Sequence, residues 1–306
     1  MNRHVFAATF SSLRSKNFRR FWTGQCISVM GTWIQRTTQT WLVYQMTKSA
    51  FLVGLLAAAQ FVPIMALTLV AGTLIDRYPK RQILLFTQFG FLLLGATMTL
   101  ITYLKIVQYW QILAIALGYG ILQSFDTPTR QSYVIELVGK KDLINGISLN
   151  SSIFNLAKIA GPSLAGILMV TLGVATCFLI DTLSYVAIIA GLLMIHQDHP
   201  IASHRSRHIL LDIREGLSYI LHHADVKLSA ELMLVNFNNN VIIPIYAEEV
   251  LHRGAQGYAS LLSATGVGSL VAAFLMSYLA SFGLRRDLYL AVAVGTALIQ
   301  SSMLFI

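Results

Sequence analysis

Three charged side chains stand inside long runs that are otherwise without charge: Arg36, Lys158 and Asp181. A charge held in hydrocarbon costs about 2.5–3.5 kcal/mol on insertion scales, so such residues are kept for pairing or for function. Counted at ~1.5 Å of helix rise per residue, Arg36 stands about 24 Å and Asp181 about 21 Å above the same membrane face, with Lys158 at about 15 Å. The long lysine stem can make up that difference. Two chemistries are open to the set. One is a buried ion pair on Asp181. The other is uptake and release of a proton by Asp181 as its surroundings change. Asp126, at the end of the fourth apolar run, joins Asp181 and Lys158 as an ion-coupling candidate.

Polar side chains recur beside Arg36. Gln25, Ser28, Thr32, Gln35 and Gln39 are spaced by three or four residues, which puts them on one stripe of a helix. Such a stripe is poorly placed against lipid and is expected to face a hydrated cavity. The alternative is hydrogen bonding between helices, worth only about 0.6 kcal/mol per contact on average. Asn236, Asn238, Asn239 and Asn240 form a second polar cluster, and Gln123 with Ser124 a weaker one. Arg36, the stripe, Gln123, Asn236 and Asn239 are the candidate cavity residues.

The elements that must hold these groups follow from composition. Of 306 residues, 56% are hydrophobic and 11% charged, where soluble domains carry about 25% charged residues. A soluble enzyme, a disordered chain and a coiled coil are excluded, which leaves a polytopic membrane protein. Uncharged runs long enough to cross about 30 Å of hydrocarbon lie at Ser49–Ile75, Gln82–Leu104, Ile106–Phe125, Ile159–Ile180 and Gly254–Leu284. The fifth span is expected to start near Ile147 and so to contain Lys158. Spans with or beside one charge lie near Phe21–Gln45, Cys177–Ile195 and Leu228–Ala247, and Leu288–Ile306 makes nine. Cys26 and Cys177 fall inside these runs and read as small buried hydrophobes, not as a disulfide framework.

Nine spans place the loops on alternating sides. Seventeen Lys and Arg then share one side: the N-terminus and the loops near Asp76–Arg81, Asp126–Gly146, His196–Lys227 and Arg285–Arg286. Lys48, Lys105 and Arg253 face the other. That bias puts the N-terminus in the cytoplasm, and it assigns the net charge of +9 to loops rather than to a nucleic-acid patch. Between His196 and Lys227, Ile209, Leu210, Ile213, Leu217, Ile220 and Leu221 repeat at helical spacing, as in a helix lying on the interface. The expected organisation is a six-helix bundle over 1–196, a cytoplasmic amphipathic linker over 197–227 and a partial three-helix bundle over 228–306. The halves match weakly at one common offset, with Lys48 falling on Arg253 and Lys80-Arg81 on Arg285-Arg286. A duplication of this kind is a transporter feature.

The loop after the second run reads Gly72-Thr73-Leu74-Ile75-Asp76-Arg77-Tyr78-Pro79-Lys80-Arg81. Gly72 permits close helix approach. Asp76, at a helix end, can accept hydrogen bonds or meet the N-terminus of another helix. Arg77, Lys80 and Arg81 can pair with acids and anchor at lipid headgroups. Such contacts hold one conformation shut and break in another, whereas charge sidedness alone needs only the basic residues. In the fifth span Ala157, Gly161, Pro162 and Gly166 supply small packing residues and a bend.

These spacings resemble two signatures of the major facilitator superfamily, the GxxxDRxxRR loop and a degraded GxxxGPxxGG antiporter motif. The resemblance narrows to the transmembrane secretion effector branch, which is similar to enterobactin exporters and macrolide efflux pumps. It rests on Gly24-Gln25, Gly31-Thr32-Trp33-Ile34-Gln35, Trp41-Leu42-Val43-Tyr44, Asp126-Thr127-Pro128-Thr129-Arg130-Gln131, Leu149-Asn150-Ser151-Ser152, the run from Phe154 to Pro162, and Ser184-Tyr185. It extends from Asn17 to the end of the chain. It implies an all-α major facilitator fold with nine of twelve expected helices. It also implies export of a siderophore or drug-like molecule across a bacterial inner membrane, by alternating access and in exchange for protons. Gly72, Asp76, Arg77, Lys80 and Arg81 would form the cytoplasmic gate, and Gly161, Pro162 and Gly166 the packing motif. Lys158 and Asp181 stand where the branch often has Arg and Asn. The helix expected to dock on Asp76 lies among the three that are absent, so an inactive fragment and a receptor or scaffold without transport stay open.

The partners implied are the lipid bilayer, a small-molecule substrate and protons. No GxxxxGK[ST] loop, HExxH pair or Ser-His-Asp arrangement occurs, so neither a nucleotide nor an enzymatic centre is expected. His196, His199, His204, His208, His222 and His223 lack Cys or carboxylate partners at ligand spacing, so no metal or other cofactor is expected.

Overall fold

The computed structural model describes residues 11–75, 77–139, 142–195 and 239–280, and among them every regular element is helical. A short 3-10 turn, Ser11–Arg14, leads into α1 (Lys16–Thr47), α2 (Ala50–Ile75), α3 (Lys80–Tyr103), α4 (Tyr109–Val138), α5 (Leu143–Thr171) and α6 (Val174–Leu193). After the undescribed stretch come α7 (Asn239–Ile245), a π-helical turn (Tyr246–Val250) and α8 (Gly254–Ala280). The linker over 197–227, the six clustered histidines, Asn236, Asp76 and the ninth span lie outside the described residues.

Helix is the state that hydrocarbon demands, because each backbone N–H and C=O then finds its partner within the segment. Among the described residues four stretches are long and apolar enough to cross a membrane: Ala50–Thr68 in α2, then α3, α5 and α6, with mean hydropathy of 2.2, 1.8, 1.6 and 1.9. The equally long α1 and α4 are the helices that carry the polar stripe and the Asp126–Arg130 segment.

One boundary differs from expectation. The loop expected over Asp126–Gly146 is mostly helix, since α4 continues through Asp126 and Pro128 to Val138. The chain turns near Gly139, whose φ of 74° suits glycine. Charge at Asp126 and Arg130 does not end the helix, because both side chains are buried and bonded to each other. Arg130 therefore leaves the tally of loop cations.

Packing places α1 along α6 and α5, α2 along α4, α3 along α6 and α4, and α8 along α5. Consecutive α5 and α6 touch only lightly. Glycines set the closest approaches. A Cβ on Gly24 would lie 2.8 Å from Ile188 Cα and 2.9 Å from the Ala187 carbonyl oxygen, and one on Gly31 would lie 3.1 Å from Asp181 Cα. At Gly24 the opposing atoms of α6 are main chain rather than the tip of a flexible side chain, so they cannot swing aside. Gly24→Val therefore drives backbone against backbone. We expect it to lower stability by about 1–3 kcal/mol, read as a fall in the detergent melting temperature.

The end of the bundle where α1 begins is called the near end, and the opposite one the far end. At the near end two arginines close the C-terminus of α6. Arg20 Nη1 donates to Met194 O at 2.7 Å, and Arg81 donates through Nε to Leu192 O at 2.7 Å and through Nη2 to Leu193 O at 3.1 Å. Carbonyls at a helix C-terminus lack intrahelical donors, and cations there meet the negative end of the helix dipole. At the far end, Lys48 terminates α1 with a φ of 49°, and His252 precedes α8 with a φ of 50°. The left-handed residue and the helix that follows it thus recur, to within one residue, at the offset of the charge matches.

Candidate functional site

The six helices α1–α6 surround a cavity of about 560 Å³, within the range usual for small-molecule sites. It occupies the middle and near half of the bundle, from Ser28, Thr32 and Arg36 of α1 to Gln123 and Arg130 of α4 and Asn150 of α5. Its apolar wall comes from Val29, Trp33, Phe61, Ile64, Phe91 and Phe154. A second cavity of about 120 Å³ lies toward the far end, bounded by Trp33, Arg36 and Thr40 of α1, Gln60 of α2 and Tyr258 of α8. A void of about 10 Å³ between α1, α2 and α4 touches Thr32, Gln35, Arg36 and Tyr119. Arg36 lines all three.

Asp181 sits behind the wall formed by Tyr185 and Thr32, with no exposed surface. Tyr119 donates its hydroxyl to Asp181 Oδ2 at 3.3 Å, while Oδ1 has no partner among the described residues. The Tyr185 hydroxyl lies 3.4 Å from Thr32 Oγ1, and Phe91 stacks on both tyrosines with centroids 5.5 Å apart. The ion pair considered for Asp181 does not form among the described residues. Lys158 has no hydrogen bond or ion pair there, and Arg36 is within electrostatic reach of Asp181 without bonding it. The reason is helix placement: a long stem that makes up the difference in depth still does not bring Lys158 close when α5 and α6 barely touch.

Asp126 is held differently. Its Oδ1 accepts from Thr87 Oγ1 at 2.9 Å and Gln88 Nε2 at 2.6 Å, and its Oδ2 accepts from Arg130 Nε at 3.0 Å and Nη2 at 2.7 Å. The fork-to-carboxylate geometry one helical turn apart compensates both charges at the cavity wall. Sequence reasoning does not single out Thr87, Gln88, Arg130 or Asn150 as site residues. The signal available for one of them is the i, i+4 spacing of Asp126 and Arg130.

The polar stripe of α1 divides. Ser28 and Thr32 line the large cavity and Gln35 only the small void. Gln25 donates to Asn150 Oδ1 at 2.5 Å, and Gln39 Oε1 accepts from Gln35 at 2.8 Å and Gln60 at 3.1 Å. Gln123 reaches the cavity and donates to Thr127 Oγ1 at 2.6 Å. Asn239 begins α7.

The loop motif also divides. A Cβ on Gly72 would meet nothing within 4 Å, and Arg77 is exposed. Lys80 pairs with Glu136, and Arg81 is occupied on α6. In α5, Gly161 admits Trp33 of α1, a Cβ there lying 2.5 Å from Trp33 Cβ, and Gly166 admits Ala259 of α8. Pro162 is buried between them. The small residues thus let one helix pack on both halves.

At the far end α1 meets the second half directly. Tyr44 donates to Glu249 Oε1 at 2.8 Å, Lys48 pairs with Glu248 at 3.0 Å, and Trp41 stacks on Tyr258 with centroids 5.9 Å apart. Both glutamates lie in the π-helical turn, a geometry that recurs at functional positions.

Long apolar helices arranged around a chamber that holds Arg36, Asp126 and Arg130 make this a multi-pass membrane protein. Residues 7–306 match the transmembrane secretion effector family, and the chain belongs to that major facilitator family. It is 23% identical over 262 residues to the staphyloferrin A transporter of Staphylococcus aureus, covering 84% of this chain and 66% of that protein. It is 21% identical over 175 residues to macrolide efflux protein A of Streptococcus pyogenes, covering 57% and 43%. It is 22% identical over 279 residues to the multidrug efflux pump Tap of Mycolicibacterium fortuitum, covering 87% and 68%. The chain thus spans about two thirds or less of the length of the first two.

Proposed function

We propose that the chain acts as a secondary-active exporter of a small molecule, not an enzyme, working by alternating access in exchange for protons. The near end is cytoplasmic, in accord with its excess of Lys and Arg, and the membrane is the bacterial inner membrane. The observation that carries the reading is the 560 Å³ chamber backed by a carboxylate, Asp181, that is buried and without an ion-pair partner among the described residues. A group in that setting can change protonation when a neighbouring cation moves. The macrolide and multidrug efflux relatives support the export direction.

In this arrangement the far-end contacts of Tyr44, Lys48 and Trp41 close the outer side. Ser28, Thr32, Arg36 and Gln123 receive substrate from the inner side. Gly72, Asp76, Arg77, Lys80 and Arg81 act at the inner gate once the halves rock, and Asp126 positions Arg130 rather than carrying the proton.

Everted membrane vesicles test the reading. With an acid lumen, a substrate drawn from a siderophore and drug panel is expected to accumulate and to speed the decay of the pH gradient, and an uncoupler, which collapses the gradient first, abolishes the accumulation. Uptake without proton flux overturns the antiport, and ligand binding without any uptake overturns transport itself.

A further inference from the structure

We infer that Arg36 is the seat of an anionic group, so that the chamber takes organic anions with an apolar body. The inference rests on the exporter reading for its physiological meaning but not for its geometry. Arg36 is the one described residue shared by the large near-side cavity, the far-side cavity and the narrow void between them. It therefore stands where the near-side and far-side cavities both reach one side chain between α1 and α2.

Its charge is not consumed locally. Among the described residues its side chain has no hydrogen bond and no ion pair. The other cation of the chamber, Arg130, is neutralised by two bonds to Asp126. Asp181, Tyr119 and Tyr185 lie within electrostatic reach of Arg36, but the two tyrosines carry hydroxyls and Asp181 takes its hydrogen bond from Tyr119. A guanidinium presents five donors in a planar fork suited to carboxylate, sulfonate or phosphate oxygens. Around it, Thr32 and Gln123 add neutral hydrogen-bonding groups, while Trp33, Phe61 and Phe91 supply flat apolar surface. A charged head with an aromatic or alicyclic body matches both halves of that lining. A cationic drug would meet Arg36 with like charge, and the carboxylate that lines the chamber, Asp126, is already paired with Arg130.

Three probes that share one body separate the possibilities: 1-pyrenebutyrate, 1-pyrenebutanol and 1-pyrenebutylamine. Binding to the purified chain in lipid nanodiscs is read by energy transfer from tryptophan to pyrene, with empty nanodiscs as blank. Trp33 lines both cavities, so a seated probe quenches it. The butyrate is expected to bind at least ten-fold more tightly than the alcohol, and the amine more weakly than either. Arg36→Gln is expected to erase the preference, and Arg36→Lys, which keeps the charge but loses the fork, to retain part of it. Equal binding of the three probes by the unaltered protein overturns the inference whether or not a variant folds, as does an unchanged preference in a folded Arg36→Gln protein. Efflux of neutral or cationic molecules alone would leave the exporter reading standing and this one fallen. Anion binding without uptake into everted vesicles would do the reverse.

Discussion

Asp181→Asn is expected to abolish pH-driven substrate uptake into everted vesicles, down to the level of vesicles without the protein, while the melting temperature in detergent stays near that of the parent chain. The substitution preserves shape. Asparagine keeps an oxygen to accept the Tyr119 hydroxyl now 3.3 Å from Oδ2, and its amide occupies the place of the unpartnered Oδ1. What disappears is the ability to hold or release a proton beside Arg36, Tyr119 and Tyr185, the groups that face this carboxylate. Facilitated movement of substrate down its own gradient is expected to survive, because no cavity residue has changed. Uptake driven by the pH gradient at the parental rate in Asp181→Asn vesicles would show that the proton travels elsewhere.

The second large effect concerns stability. Arg130→Met leaves Asp126, at 1% exposure, with Oδ2 facing no donor. Removing one member of a buried pair costs about 3–5 kcal/mol, because the remaining charge is uncompensated. The loss is expected as a marked fall in melting temperature and in resistance to sodium dodecyl sulfate. Asp126→Asn added to Arg130→Met recovers most of it, since replacing both partners removes the stranded charge. Thr87 and Gln88 still bond the asparagine oxygen, as they now bond Oδ1. A single Arg130→Met protein that melts with the parent chain would mean that water in the chamber, not Arg130, neutralises Asp126.

Hydrophobic runs make the helices legible, because hydrocarbon thickness sets their length and uncharged composition marks them. What composition cannot supply is the partner of each charge. Asp126 reads as a loop residue because Thr87 and Gln88, which meet its carboxylate, come from a different helix. Helix rise gives Lys158 and Asp181 a height each, yet a height carries no azimuth. The light contact between α5 and α6 leaves Lys158 without its expected partner. The stripe from Gln25 to Gln39 shows the same limit. Its spacing places five residues on one face, but only the neighbours of that face decide that Ser28 and Thr32 meet the cavity while Gln25 and Gln39 bond to Asn150 and Gln60.

The bond from Tyr44 to Glu249 joins positions that correspond to each other under the repeat, as Lys48 corresponds to Arg253. Two matching points of a twofold arrangement can touch only on the rotation axis. If the halves rock as proposed, this bond parts together with the Lys48–Glu248 pair and the Trp41–Tyr258 stack beside it, so opening the far end breaks all three at once.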